Sequence, residues 1–203
     1  NHIKQIGLPV YEWNLIDVST RTRFTAYSYR LNSSFGFLFI FFCLLWLRMH
    51  NVTTDIEIRL DNGSEFCSGS RKKLAEWNSF FGNLGAVLEP IPPGMKHLQG
   101  IVENSHRRDD EEFLIPHVLK VKNSYQFLTK AQMWQDAWNF YRPHFGKGMG
   151  GRTPYQVLKD KWNRLVNLNV ISFPVFLVED LFIIATRLGM LGGEYVLAPY
   201  RNN

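Results

Sequence analysis

The sequence predicts an α/β domain in which a mixed β-sheet is flanked by helices. Two short aromatic-rich runs near the start suit an antiparallel hairpin, and the chain then alternates strand-like with helix-like segments. Hydrophobic residues make up 45% of the chain against 20% charged, the balance of a protein that buries a core. Its 203 residues hold one ordinary domain with room for a small appendage.

The hairpin is read from YEWNLID (11–17) and RFTAYSY (23–29), joined by the polar VSTRT. FGFLFIFFCLLWL (35–47) has almost no polar face. It is 13 residues long, against roughly 20 for a membrane-spanning helix, so it reads as a core helix over 34–49 covered on several sides. Ser33 and Ser34 are the expected caps. DIEIRL (55–60) alternates Ile56, Ile58 and Leu60 with charge, as a strand does. Leu74, Trp77, Phe80 and Phe81 recur at helical spacing and predict a helix over 70–83. AVLEPI (86–91) is a short strand closed by prolines, and a polar helix follows over about 101–113. A helix over 129–141 uses Ala131, Trp134, Ala137, Trp138 and Tyr141. After the glycine-rich stretch 143–153 comes TPYQVLKDKW, with Thr153 as cap and Pro154 at the first helical position. The domain is drawn at 1–165. Residues 166–203, broken by Pro174, Gly189, Gly192 and Gly193, are expected to form a small C-terminal appendage of unknown role.

Composition excludes several classes. Cys43 and Cys67 alone give no disulfide framework, and a reducing compartment fits. The six histidines show no zinc-ligand spacing. The net charge of +5 is a modest bias toward polyanionic partners. No membrane partner and no organic cofactor are expected.

Two features carry chemistry. Asp61 follows the alternating strand directly, and Asn62 and Gly63 then turn the chain. By itself this reads equally well as a turn. QGIVENSHRR (99–108) puts Glu103 in the first turns of a helix, where Glu103, His106, Arg107 and Asp110 share one face. A carboxylate beside cations suits a metal-and-phosphate site, although such charges are usually a solvated helix face with local ion pairs.

LDNGSEF (60–66), IPPGMKHLQGIVENSHRRDDEEF (91–113), NFYRPHFGKGMGGRTPYQVL (139–158) and IDVSTR (16–21) occur in one order over residues 1–160. In this the chain resembles the catalytic core of retroviral integrases and bacterial insertion-sequence transposases, the acidic-triad (DDE) group with an RNase H-like fold. The resemblance implies DNA strand cleavage and transfer of a 3′-hydroxyl, with Mg²⁺ or Mn²⁺ in a two-metal site. Asp61 would be its second acid and Glu103 its third, since such ions take hard oxygen ligands. It further implies DNA partners (element ends and target), a homo-oligomer and a nucleoid-associated cytoplasmic setting. Lys96, His97, Gln99, Gly100, Arg107 and Arg108 fall where DNA would be met. Asn139, Arg142 and His144 match a segment expected to tie the last helices together.

The family's first acid is not matched within the chain. Asn1-His2-Ile3 resembles the stretch just after it, so that acid is expected upstream of Asn1, with the first strand truncated and the chain as given inactive. Asp17 is expected to cap the hairpin turn instead. The 41 residues between Asp61 and Glu103 exceed the family's usual spacing, and the Gly82–Gly85 turn and proline-rich loop can absorb the excess. The rival expectation is a catalytically inactive nucleic-acid-binding remnant or assembly module of a transposase.

Overall fold

The structure, a computed structural model, describes residues 6–61, 66, 70–92 and 100–188. The fold is mixed α/β. β1 (Tyr11–Ile16) and β2 (Arg23–Ser28) form the expected antiparallel hairpin, with Tyr11 opposite Ser28 and Ile16 opposite Arg23. Asp17 makes its turn: Oδ2 accepts from both the N–H and the hydroxyl of Thr20 at 2.6 Å, and the Asp17 carbonyl accepts from Arg21 N at 2.8 Å.

Helix α1 (Ser33–Met49) follows. Its cap is Asn32, one residue before the expected serines. Asn32 is extended and its Oδ1 accepts from Phe35 N at 2.9 Å, while Ser33 has already entered the helix. β3 (Ile56–Leu60) and β4 (Ala86–Pro90) pair in parallel around the crossover helix α2 (Arg71–Gly82), with Ile56 opposite Ala86. Gly85, at φ +66°, opens β4 where Arg48 reaches across from the end of α1 to the carbonyls of Leu84 and Gly85. A Cβ there would come within 2.9 Å of Arg48 Nη2, so the position needs glycine.

Helix α3 (Gly100–Arg108) runs on into a π-helical stretch, Asp109–Leu114. Helix α4 (Ser124–Asp136), capped by Asn123, begins five residues before its expected start and also ends in a π-helical stretch, Ala137–Tyr141. Helix α5 (Pro154–Trp162) carries a complete capping box: Gln156 N donates to Thr153 Oγ1, and Thr153 N donates to Gln156 Oε1. Helix α6 (Val178–Arg187) is the last element described.

α1 is the common floor of the two strand pairs. Phe35, Leu38, Phe39 and Cys43 join the cluster under the hairpin, and Ile40 and Leu44 join the cluster under β3 and β4. Leu15, Leu47 and Phe66 pack against both. The stretch expected to stand off as an appendage reaches into the first cluster instead. Val170, Ile171, Phe173, Val178 and Ala185 are buried there, and Phe173 stacks on Phe24 with centroids 4.4 Å apart. Apolar residues spaced between breakers read as separate short segments, yet their burial is long-range.

The far edges of both strand pairs are covered by side-chain amides. Along β2, Asn139 accepts from Arg23 N (2.9 Å) and donates to Arg23 O (3.0 Å), Gln135 accepts from Thr25 N (2.7 Å), and the Phe176 carbonyl accepts from Tyr27 N (3.0 Å). Along β4, Asn78 accepts from Leu88 N (2.7 Å) and donates to Leu88 O (3.1 Å). Among the described residues no strand pairs with the other edge of β1 or of β3.

Candidate functional site

Asp61 lies immediately beyond the end of β3 and is exposed. Five residues on, Phe66 sets its ring edge-on to Trp13 of β1, 5.6 Å between centroids. Glu103 is exposed in the first turn of α3. That helix turns Ser105 inward and continues to the buried Asp109, four residues on and on the same face. Glu103 is therefore held on a helix whose inner face is polar.

Beneath α3 lies a cluster that sequence reasoning missed. Arg23 is 1% exposed and its ion-pair partner Asp109 is 2% exposed. The Arg23 guanidinium also donates to Ser105 Oγ (3.1 Å) and lies over the Trp138 ring, 4.5 Å from its centroid, with Trp134 on another side at 5.8 Å. Asp109 Oδ1 accepts from Trp134 Nε1 at 2.5 Å as well. From β1, Glu12 comes up to the same place. It accepts from Tyr27 Oη (3.2 Å) and from Asn14 Nδ2, and lies 3.6 Å from His106 Nδ1. Glu12, His106 and Asp109 offer three ligand atoms all within 4.8 Å of one another, a set able to hold a metal ion.

The electrostatics follow from crowding. Burial pushes Asp109 up, and the neighbouring Glu12 charge adds to it; Arg23 and Trp134 oppose, and the carboxyl still rises to about 7. Burial also pushes Glu12 up, but its bond with His106, the Arg23 charge and its bond with Asp109 outweigh that and hold it at about 2. The bond to Glu12 raises His106 despite partial burial. Of the two carboxyls Asp109 is the one shifted toward its protonated form, and His106 is shifted toward its charged form.

Of the residues expected at a DNA face, Lys96, His97 and Gln99 lie outside the described residues, as do Asn62 and Gly63 beside Asp61. Gly100 opens α3. Arg107 donates to Asn104 at 2.9 Å, and Arg108 pairs with Glu111 (3.2 Å) and Glu112 (3.4 Å), so both are engaged along their own helix. Arg142 pairs with Glu112 through two bonds of 2.7 and 2.9 Å, joining the end of α4 to the π-helical stretch after α3. His144 is buried and its Nε2–H donates to the Trp138 carbonyl at 3.3 Å; burial pulls its pKa down to about 4, so it is neutral.

Glu12 had a sequence signal: in YEWNLI it stands on the strand face opposite Trp13, one charge among apolar and aromatic neighbours. Asp109 had a weaker one, its i+4 relation to Ser105. No protein-family model matches the chain, and no curated protein matches it. Among the described residues no helix is long and apolar enough to cross a membrane.

Proposed function

We propose that the chain is the core of an RNase H-like DNA transposase or integrase, with Asp61 and Glu103 as two carboxylates of its divalent-metal site. One observation carries this reading: Asp61 is exposed directly past the end of β3, and Glu103 is exposed in the first turn of α3. Phe66 packs edge-on to Trp13 of β1, and His106 on the Glu103 helix lies 3.6 Å from Glu12 of the same strand.

Among the described residues the other edges of β1 and β3 are unpaired, which supports the same reading. Two strand pairs on a shared helix floor, with amides along their outer edges, suit a mixed sheet with one further strand between them. A carboxylate just past a strand end suits the usual location of ligands in such folds.

Asp61 and Glu103 are exposed carboxylates and offer the hard oxygens that Mg²⁺ or Mn²⁺ requires. Bound divalent ions would supply an activated nucleophilic oxygen and charge stabilisation at the phosphate. The protein's own part is to hold those oxygens on a strand end and a helix start. Asp61→Asn and Glu103→Gln are each expected to abolish Mn²⁺-dependent strand transfer while DNA affinity stays within about twofold, read by gel assay of joined products and by fluorescence anisotropy. Strand transfer surviving in either variant overturns the assignment.

A further inference from the structure

His106 and Asp109 stand three residues apart where α3 passes into its π-helical stretch, which brings an imidazole and a carboxylate to one side. Strand β1 adds the Glu12 carboxylate, and the ligand atoms of the three lie within 4.8 Å of one another. Glu12 Oε1 and His106 Nδ1 are 3.6 Å apart. That is wider than the ~2.7–3.2 Å of an N–H···O hydrogen bond. It is near the roughly 3.4 Å that separates two ligands each about 2.1 Å from a tetrahedral metal.

We propose that Glu12, His106 and Asp109 bind one Zn²⁺ ion that joins β1 to α3, with a water as fourth ligand on the side where His106 meets solvent. This site lies beyond the metal chemistry assigned to Asp61 and Glu103. Neither of those residues is among its ligands, and it stands whether or not that reading does.

The neighbours hold the two carboxylates in place and leave each an oxygen for the ion. Arg23 and Trp134 both donate to Asp109 Oδ1, so Oδ2 is left with Ser105 Oγ at 3.4 Å. Tyr27 Oη donates to Glu12 Oε2 at 3.2 Å, and the Asn14 amide donates to Oε1. A carboxylate oxygen has two lone pairs, so Oε1 keeps one beside the amide. Carboxylates that ligate metals are ordinarily hydrogen-bonded in this manner. The charges agree with a cation as well. Glu12 and Asp109 face the single guanidinium of Arg23, and Asp109 is 2% exposed, where water screens little. A dication offsets the excess, and it meets Asp109 on the oxygen that the guanidinium does not use.

The imidazole decides which metal. Mg²⁺ takes hard oxygen ligands and gives up its waters reluctantly. One nitrogen with two carboxylates suits Zn²⁺, which binds all three donor types. The His106 side chain is 47% exposed, so an ion has a path in from solvent.

Calorimetric titration of the whole chain with Zn²⁺, after stripping with a chelator, tests the site. One ion per chain is expected, and saturating Zn²⁺ should raise the thermal unfolding temperature. His106→Ala removes a half-exposed ligand and should weaken Zn²⁺ binding at least ~100-fold, more than the loss of a group that only orients a ligand. Glu12→Gln should weaken it in the same direction. The double variant Asp61→Asn, Glu103→Gln should keep its Zn²⁺ affinity within about twofold, as expected of independent sites. A wild-type chain that binds no Zn²⁺, or binds Mg²⁺ more tightly, overturns the site whether or not any variant folds. Unchanged affinity in His106→Ala overturns it too, because another group then holds the ion, as does affinity lost in the double variant. Zn²⁺ bound as expected while strand transfer survives in Asp61→Asn removes the transposase reading alone.

Discussion

At the scale of single residues, Arg23 matters most. A guanidinium removed from water needs its charge met, and here Asp109 and Ser105 take Nη1 and the faces of Trp134 and Trp138 cover the group, while the buried Nε has no hydrogen-bond partner. Arg23→Met would leave Asp109 buried beside Glu12 with no counter-charge. We expect it to destabilise the protein by roughly 3–5 kcal/mol at pH 8, measured by urea unfolding. The double variant Arg23→Met, Asp109→Leu should recover much of that loss, because it removes both buried charges together. A double variant as unstable as the single one would mean that packing on the tryptophans, not charge, makes Arg23 necessary. Little in the local pattern around Arg23 warns of this. In RTRFTAYS, arginine at the mouth of a hairpin reads as a solvated end, and only its partners from 82 and more residues away make it core. Asp61 and Glu103 are the opposite case, since short local motifs single them out without any knowledge of packing.

Among the elements, the hairpin, α1, the β3–α2–β4 crossover and α5 were all legible, because each rests on local periodicity or capping. Asn32 displaced the expected serines because helix entry depends on backbone geometry that composition does not reveal. The two π-helical stretches, Asp109–Leu114 and Ala137–Tyr141, were not legible either. Each widens a helix where its residues meet partners distant in sequence, with Asp109 on Arg23 and Asn139 on the β2 edge. Asn78 shows how much one amide does for a strand, since both of its polar atoms serve Leu88. Asn78→Ala should cost about 1–3 kcal/mol, two net hydrogen bonds at a partly buried edge, measured by chemical denaturation. A change within experimental error would mean that water satisfies that edge as well as Asn78 does.

For the whole molecule, the main lesson concerns the C-terminal part. The pattern suggested a boundary near residue 165, yet Phe173 is fully buried against Phe24 and Ile171 is 1% exposed in the same core as Trp13 and Phe39. A large buried aromatic contributes roughly 3–5 kcal/mol, and losing several such side chains exceeds the usual stability of a domain. A chain ended after residue 165 is therefore expected to lack a cooperative thermal transition, followed by circular dichroism. A sharp transition in the shortened chain would show that the last segment is dispensable to the core. The segment escaped sequence reading because it supplies single side chains to a core built mainly from residues 13–43, which no local window can reveal.

The covered outer edges of the two strand pairs bear on how copies of the molecule meet. Unpaired strand edges are templates for a neighbouring chain. Asn139, Gln135 and Asn78 occupy those templates along β2 and β4 with side chains that offer a newcomer no continuing ladder. Fibre-like growth by stacking strands outward is thereby blocked at both flanks. A chain arriving at either flank therefore meets amide side chains in place of a free ladder.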